Sequence, residues 1–235
     1  MTRLLDNEAL ERSTVVANRD MRRDRGLTGR DGYLRNLGID PVTFLAARPG
    51  PARWLDLCCG SGTALIEAAT QLGALPGLEI IGVDLVGFFA SPAPPAVRFV
   101  TGSVSTWRPA GDCDLITCVH GLHYLGDKLA VLTEAAAWLR PGGVFVANFD
   151  AAGIRHADGK PAGRRLTAAL REAGFAYDAR NRRIRRAGPG RVTLPFRYLG
   201  ADPEAGPNYT GQPAVHSYYE LRPHGLGPTT RARGG

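Results

Sequence analysis

The 235-residue chain has little cysteine, little lysine and no long apolar run. Its four cysteines, Cys58, Cys59, Cys113 and Cys118, include no C-x-x-C pair. That argues against a zinc knuckle or a disulfide framework and for reduced, buried thiols. No segment approaches the roughly 18 apolar residues of a membrane span. The opening stretch "MTRLLDNEALERS" is charged throughout, where a signal peptide would be apolar. The expectation is a cytoplasmic protein without a membrane partner. Only Lys128 and Lys160 are lysines, so arginine carries nearly all of the positive charge behind the net +7. Residues 151–200 hold 12 basic and 3 acidic side chains, whereas residues 51–150 hold 5 and 9. One local segment therefore makes the whole chain basic.

What is present divides at about residue 51. Residues 1–50 read as helices and charged, glycine-rich connectors, with a helix start at Asp40-Pro41 and no strand. Beyond them apolar strands alternate with helices. Strands are expected at 53–59, 78–85, 97–104, 113–122 and 144–150, and helices at 63–73, 127–143 and 160–175. Strands with little polar alternation, separated by helices, make a parallel sheet covered on both faces. Segments 176–187 and 191–201 have no helix between them and are expected to pair antiparallel. The tail at 207–223 reads as turns. The expected architecture is a Rossmann-like, doubly wound α/β fold. Its seven-stranded sheet is mostly parallel with the last strand antiparallel, and residues 1–50 form a helical lid over the domain at 51–235.

The stretch "LDLCCGSGT", residues 55–63, is where a ligand would sit, at the carboxyl end of the first strand. Gly60 and Gly62 permit a tight turn and close backbone approach. A dinucleotide fits poorly: the third small residue of G-x-G-x-x-G is replaced by Leu65, and Asp56 would repel a pyrophosphate. Asp84 ends the second strand, where a carboxylate accepts hydrogen bonds from ribose hydroxyls. Two acids framing a glycine turn suit an adenosyl ligand that carries an amino acid and no phosphate.

These motifs resemble those of the class I S-adenosylmethionine-dependent methyltransferases. "LDLCCGSGT", "GVDL", "VTGSV", "CDLITCVHGLHYL" and "LRPGGVFVANF" follow one another in that family's order. The resemblance implies S-adenosyl-L-methionine as cofactor, with Asp56, Gly60 and Gly62 around its methionine part. It further implies Asp84 on the ribose, Leu85 against the adenine, and Ser103 and Val104 at the adenine edge. Many members have an acidic residue where Ser103 stands. It also implies that the antiparallel strand lies between the fifth and sixth. The N-terminal region resembles that of small-molecule methyltransferases from bacterial natural-product pathways, with Tyr33 and Arg30 reaching the cofactor carboxylate.

His120 and His123 follow the fourth strand and can accept a proton near neutrality. Tyr124, Asn148 and Asp150 are candidates for substrate contact. The fourth-strand loop lacks an Asn/Asp-Pro-Pro-aromatic run, and Cys118 has no neighbouring proline, which weighs against nucleic-acid bases as acceptors. The arginines of 179–191 weigh the other way, although strand-edge charges also block aggregation. The expected activity is methyl transfer to an O, N or C atom of a small-molecule partner. An rRNA or tRNA methyltransferase, or a cofactor-binding protein catalysing a non-methylating cyclisation or rearrangement, are the alternatives.

Overall fold

The computed structural model describes residues 3–17, 24–73 and 75–222. Within the region read as helices and connectors, residues 1–2 and 18–23 lie outside them, as does the last residue of the tail at 207–223. Three short helices come first: α1 (Asn7–Glu11), α2 (Tyr33–Leu37) and α3 (Pro41–Ala46). Asp40 caps α3 by accepting the Val42 N–H at 3.0 Å, and Pro41 sets its first turn. The alternating region follows as β1 (Arg53–Leu57), α4 (Thr63–Leu72), β2 (Glu79–Asp84), β3 (Val97–Thr101), β4 (Cys113–Cys118), α5 (Lys128–Ala137) and β5 (Leu139–Asn148). The chain then forms β6 (Ile154–His156), α6 (Gly163–Glu172), β7 (Ala176–Asp178), β8 (Arg183–Ala187), β9 (Phe196–Asp202) and β10 (His216–Leu221).

Seven strands make one sheet in the order β3-β2-β1-β4-β5-β8-β7. The first five run parallel, and β8 is antiparallel to both β5 and β7. The order reverses at β1, whose neighbours are β2 and β4, so a crevice opens above the carboxyl ends of β1 and β4. All six residues of β4 are buried, as an apolar strand covered on both faces requires.

Four expectations change. First, residues 176–187 are a hairpin, because Asp178 turns the chain: its carboxylate accepts from the Asn181 N–H at 3.0 Å and the Asn181 side chain at 2.6 Å. Second, residues 191–201 do not pair with that hairpin. Gly188, Pro189, Gly190 and Pro195 break the path, and β9 joins a three-stranded sheet, β6-β10-β9. Third, the tail read as turns contains β10, antiparallel to β9 and parallel to β6. Fourth, α5 ends at Ala137, and β5 absorbs Pro141-Gly142-Gly143 as an irregularity, with Cys113 opposite Leu139 and Leu115 opposite Val144. The N-terminal region carries one strand-like contact, a bridge from Leu5 to Ala201.

Residue 51 marks no break in packing. Leu27, Tyr33, Leu37 and Leu45 are buried in the same apolar cluster as Trp54 and Leu65. Three of the six arginines of the basic segment are engaged within the fold, while Arg180, Arg185 and Arg191 are exposed; β8 is an interior strand. Arg186 donates to the Ala173 carbonyl at the end of α6 and lies over the Phe175 ring. Arg183 approaches Asp178 at 3.7 Å, and Arg182 lies 4.0 Å above the Tyr209 ring. Among the described residues no helix is long and apolar enough to cross a membrane.

Lys128 joins the two sheets. Its buried ammonium donates to Leu125 O and Val215 O, each at 2.9 Å, and to Ser217 Oγ at 2.7 Å. Replacing it with Met leaves three buried acceptors without a donor, each worth about 1–3 kcal/mol when stranded. Lys128→Met is expected to lower the unfolding free energy by at least one such increment, read as a lower urea midpoint at unchanged m. An unchanged midpoint would show that water takes over all three contacts.

Candidate active site

The main cavity lies over the β1–β4 crevice. Its floor is built by hydrogen bonds from the backbone of the first turn to β2: the Cys59 N–H donates to Val83 O at 3.1 Å, and the Gly60 N–H donates to the Asp84 side chain at Oδ2, 3.0 Å away. The Val86 N–H donates to the other Asp84 oxygen at 3.0 Å. Gly60 has φ of 61°, a conformation that favours glycine. Gly60, Asp84, Leu85, Ser103 and Val104 all line the cavity, as the motifs imply. Gly62 does not. It caps α4 with φ of 75°, and a side chain there would strike the Phe99 ring at 2.2 Å, so this glycine serves packing. The first turn of α4 is also covered by protein: the Ala64 N–H donates to Arg25 O, and Asp24 accepts from both Ser61 and Thr63 hydroxyls.

Asp56 is fully buried and sits behind Tyr33. One carboxylate oxygen accepts the Tyr33 phenol at 2.7 Å, and the other accepts the Thr117 hydroxyl, which in turn receives the Trp54 indole N–H at 2.8 Å. Tyr33 reaches the cavity and Asp56 fixes it there. Burial raises the Asp56 pKa to about 7; the bonds from Thr117 and Tyr33 pull it back, and Asp84 adds to the rise. An aspartate raised above its unfolded value of 3.8 costs stability once it ionises, so this cost is absent in acid and complete above about 7.

His120, Gly121 and Tyr124 form the wall after β4. His120 has φ of 58°, and its backbone N–H donates to Asn148 Oδ1 at 3.2 Å, so Asn148 positions it. The His123 ring lies 5.8 Å from that of His120, and Tyr209 packs at 5.4 Å from His123 and 6.3 Å from His120. His120 Nδ1 and His123 Nε2 are buried without a hydrogen-bond partner. Burial lowers His120 to about 4 and His123 to about 3; Arg25 adds to the first effect, and His120 and Lys128 to the second. Both rings are neutral acceptors at physiological pH.

A second, shallower opening is lined by Arg30, Arg35, Asn148, Asn181 and Tyr209, and it shares His120 with the main cavity. Arg30 thus stands in this opening, while Arg25 is the arginine of the main cavity. Asp150 lines neither; it caps a short turn after β5 by accepting the Ala152 N–H at 3.1 Å. Sequence reasoning missed Glu11, Arg25 and Tyr209. No motif marks them, because loops far from the strand ends bring them in.

The cavity fits S-adenosylmethionine. A buried carboxylate stands at the end of β2 for a diol, Leu85 and Val104 offer apolar surface for a ring, and a guanidinium at Arg25 suits a carboxylate. Among the described residues no group of His, Cys, Asp and Glu forms a metal cluster.

The depressed imidazoles give a direct prediction. In an NMR titration His120 and His123, assigned by His→Asn variants, are expected to stay neutral down to about pH 5. Folding should weaken as pH falls from 6.5 towards 4, because the unfolded chain takes up two protons there that the native rings refuse, and the one proton that native Asp56 takes up in the same range offsets only part of this. Midpoints near 6.5 would contradict the burial.

Residues 30–160, more than half of the chain, match the family described as "Methyltransferase domain". The demethylmenaquinone methyltransferase of Lactiplantibacillus plantarum is 35% identical over 105 residues, 40% of this chain and 44% of that one. The ubiquinone biosynthesis O-methyltransferase of Xanthomonas campestris is 31% identical over 117 residues, 48% of each chain. An S-adenosylmethionine-bound amino pentose methyltransferase of calicheamicin biosynthesis from Micromonospora echinaspora is 31% identical, with a TM-score of 0.38 over 45% of this chain and 46% of that one. The chain spans less than half the length of the curated relatives named here. With the glycine turn, the Asp84 carboxylate and the reversed strand order in place, the match assigns the chain to the methyltransferase-domain family, the class I S-adenosylmethionine-dependent enzymes that its motifs resemble.

Proposed function

We propose that the protein methylates a hydroxyl oxygen of a small-molecule acceptor, with residues 24–50 acting as a lid that shapes the acceptor's entry. The observation that carries this reading is His120, which belongs to both the cofactor cavity and the adjoining polar opening. Bound there, S-adenosylmethionine supplies an electrophilic methyl on a sulfonium. The protein's work is then alignment, which can contribute about 7–11 kcal/mol, and acceptance of a proton.

Tyr33, held by Asp56, and Gly60 form part of the cavity wall against which the methyl donor would be aligned. Asn148 fixes the backbone of His120. The neutral imidazole of His120, which lines the cavity, can accept the acceptor's O–H hydrogen. A neutral imidazole of low basicity suits oxygen better than an amine. A hydroxyl becomes strongly acidic as its oxygen bonds to the methyl, so a weak base takes the proton late in the transfer. An ammonium ion, by contrast, would not release its proton to so weak a base. Oxygen is also the acceptor atom in the name of one relative. The engagement of Arg182, Arg183 and Arg186 inside the fold supports a small molecule over RNA.

Incubation with methyl-labelled cofactor, a panel of small hydroxylated compounds and total RNA tests the acceptor class. Label is expected in small molecules only; label in RNA would overturn the reading. His120→Ala is expected to lower kcat by about 100-fold, the lower range for general base catalysis, with S-adenosylhomocysteine affinity held within twofold. Equal losses in rate and affinity would make His120 a packing residue.

A further inference from the structure

The cavity contains a carboxylate that no strand end supplies. Glu11, the last residue of α1, lines the cavity and accepts a hydrogen bond from the hydroxyl of Ser103, 92 residues away. Ser103 is itself fixed, because its oxygen accepts the Ser105 N–H at 3.1 Å.

The placement of Glu11 is built into the fold. Leu5 and Ala201 exchange two backbone hydrogen bonds of 2.8 Å each. Asp6 caps α1 by accepting the Ala9 N–H at 2.8 Å, and Asn7 Oδ1 accepts the Asp127 N–H at 3.1 Å. Leu10, 1% exposed, packs with Val16, Ala201 and Val215. The cap closes the helix on itself, and the other three contacts hold its five residues against β9 and the start of α5.

Around Glu11 the wall is apolar: Val16, Leu85, Val104 and Leu125. Arg25, Tyr33 and Gly60 line the same cavity. The cavity lining therefore includes a guanidinium and, with several apolar side chains, the Glu11 carboxylate. A flat heterocycle needs apolar surface for its faces and a partner for each edge group. A carboxylate accepts and cannot donate, so it selects an edge that presents N–H.

We propose that Glu11 accepts a hydrogen bond from the 6-amino group of the cofactor's adenine, and that α1 is the element that reads the base. The assignment rests on the adenosyl ligand occupying this cavity. The hydroxyl of Ser103 holds the Glu11 carboxylate in position for that contact. Recognition of the base then draws on the N-terminal segment, so cofactor binding tightens α1 against the body of the enzyme.

Calorimetry with S-adenosylhomocysteine and S-inosylhomocysteine, which replaces the 6-amino group with an oxo group, tests this. The native protein is expected to prefer the adenosyl compound by at least tenfold. Glu11→Gln should lose about tenfold for it and little for the inosyl compound, shrinking the preference below threefold. A loss shared equally by both ligands, or no loss for either, overturns the role of Glu11. Failure of the native protein to bind either ligand overturns the cofactor reading as well. Amide exchange in the native protein provides a second readout: protection of residues 3–11 should rise with the adenosyl ligand and much less with the inosyl one. Equal protection by both would also refute base reading by α1.

Discussion

A single buried carboxylate organises the active site. Asp56 ends inside the sheet with no exposure, and water reaches neither oxygen. Left alone, such a charge would be expelled or neutralised. Here the Tyr33 phenol and the Thr117 hydroxyl each give it a hydrogen bond, and Trp54 completes the line through Thr117. The result ties α2 to β1 and β4 at the point where the strand order reverses. Burial raises the Asp56 pKa, and these two donors offset part of that rise. The phenol of Tyr33 is likewise pushed well above its ordinary value, first by burial and then by Asp56, so it remains a donor at any working pH.

From that clamp the rest follows by position. Tyr33 forms one wall of the cofactor cavity, and the segment before it covers the first turn of α4. The loop after β4 forms the opposite wall and presents His120 at the meeting point of two openings. Burial keeps its imidazole uncharged, which preserves a lone pair close to where a cationic sulfur is expected. A protonated ring there would repel the donor. The three-stranded sheet and Lys128 hold this loop from behind, and the Val215 N–H bonds to His123 O at 2.9 Å.

Much of this was legible in the sequence, for definable reasons. The central strands announce themselves because burial on both faces demands continuous apolar runs. Gly60 and Asp84 are legible because strand ends and their turns have fixed chemistry. The hairpin of β7 and β8 was not, since the turn depends on the Asp178 side chain bonding to Asn181. β10 was hidden because "HSYYEL" follows a run of turn residues and pairs with distant partners. Gly62 was read as facing the ligand, yet Phe99 occupies the space beside it. Glu11 and Arg25 carry no local signal, because their roles depend on where the N-terminal segment docks.

The clamp is measured most directly by a double-mutant cycle in stability, using Tyr33→Phe, Asp56→Asn and the pair, followed by denaturant unfolding. Each single change is expected to cost about 1–3 kcal/mol as a buried group loses its partner. The double variant should cost little more than the worse single, giving a coupling of at least about 1 kcal/mol. Costs that simply add would mean that Tyr33 and Asp56 do not hold one another, and the account of how the N-terminal segment is fixed over the site would fall.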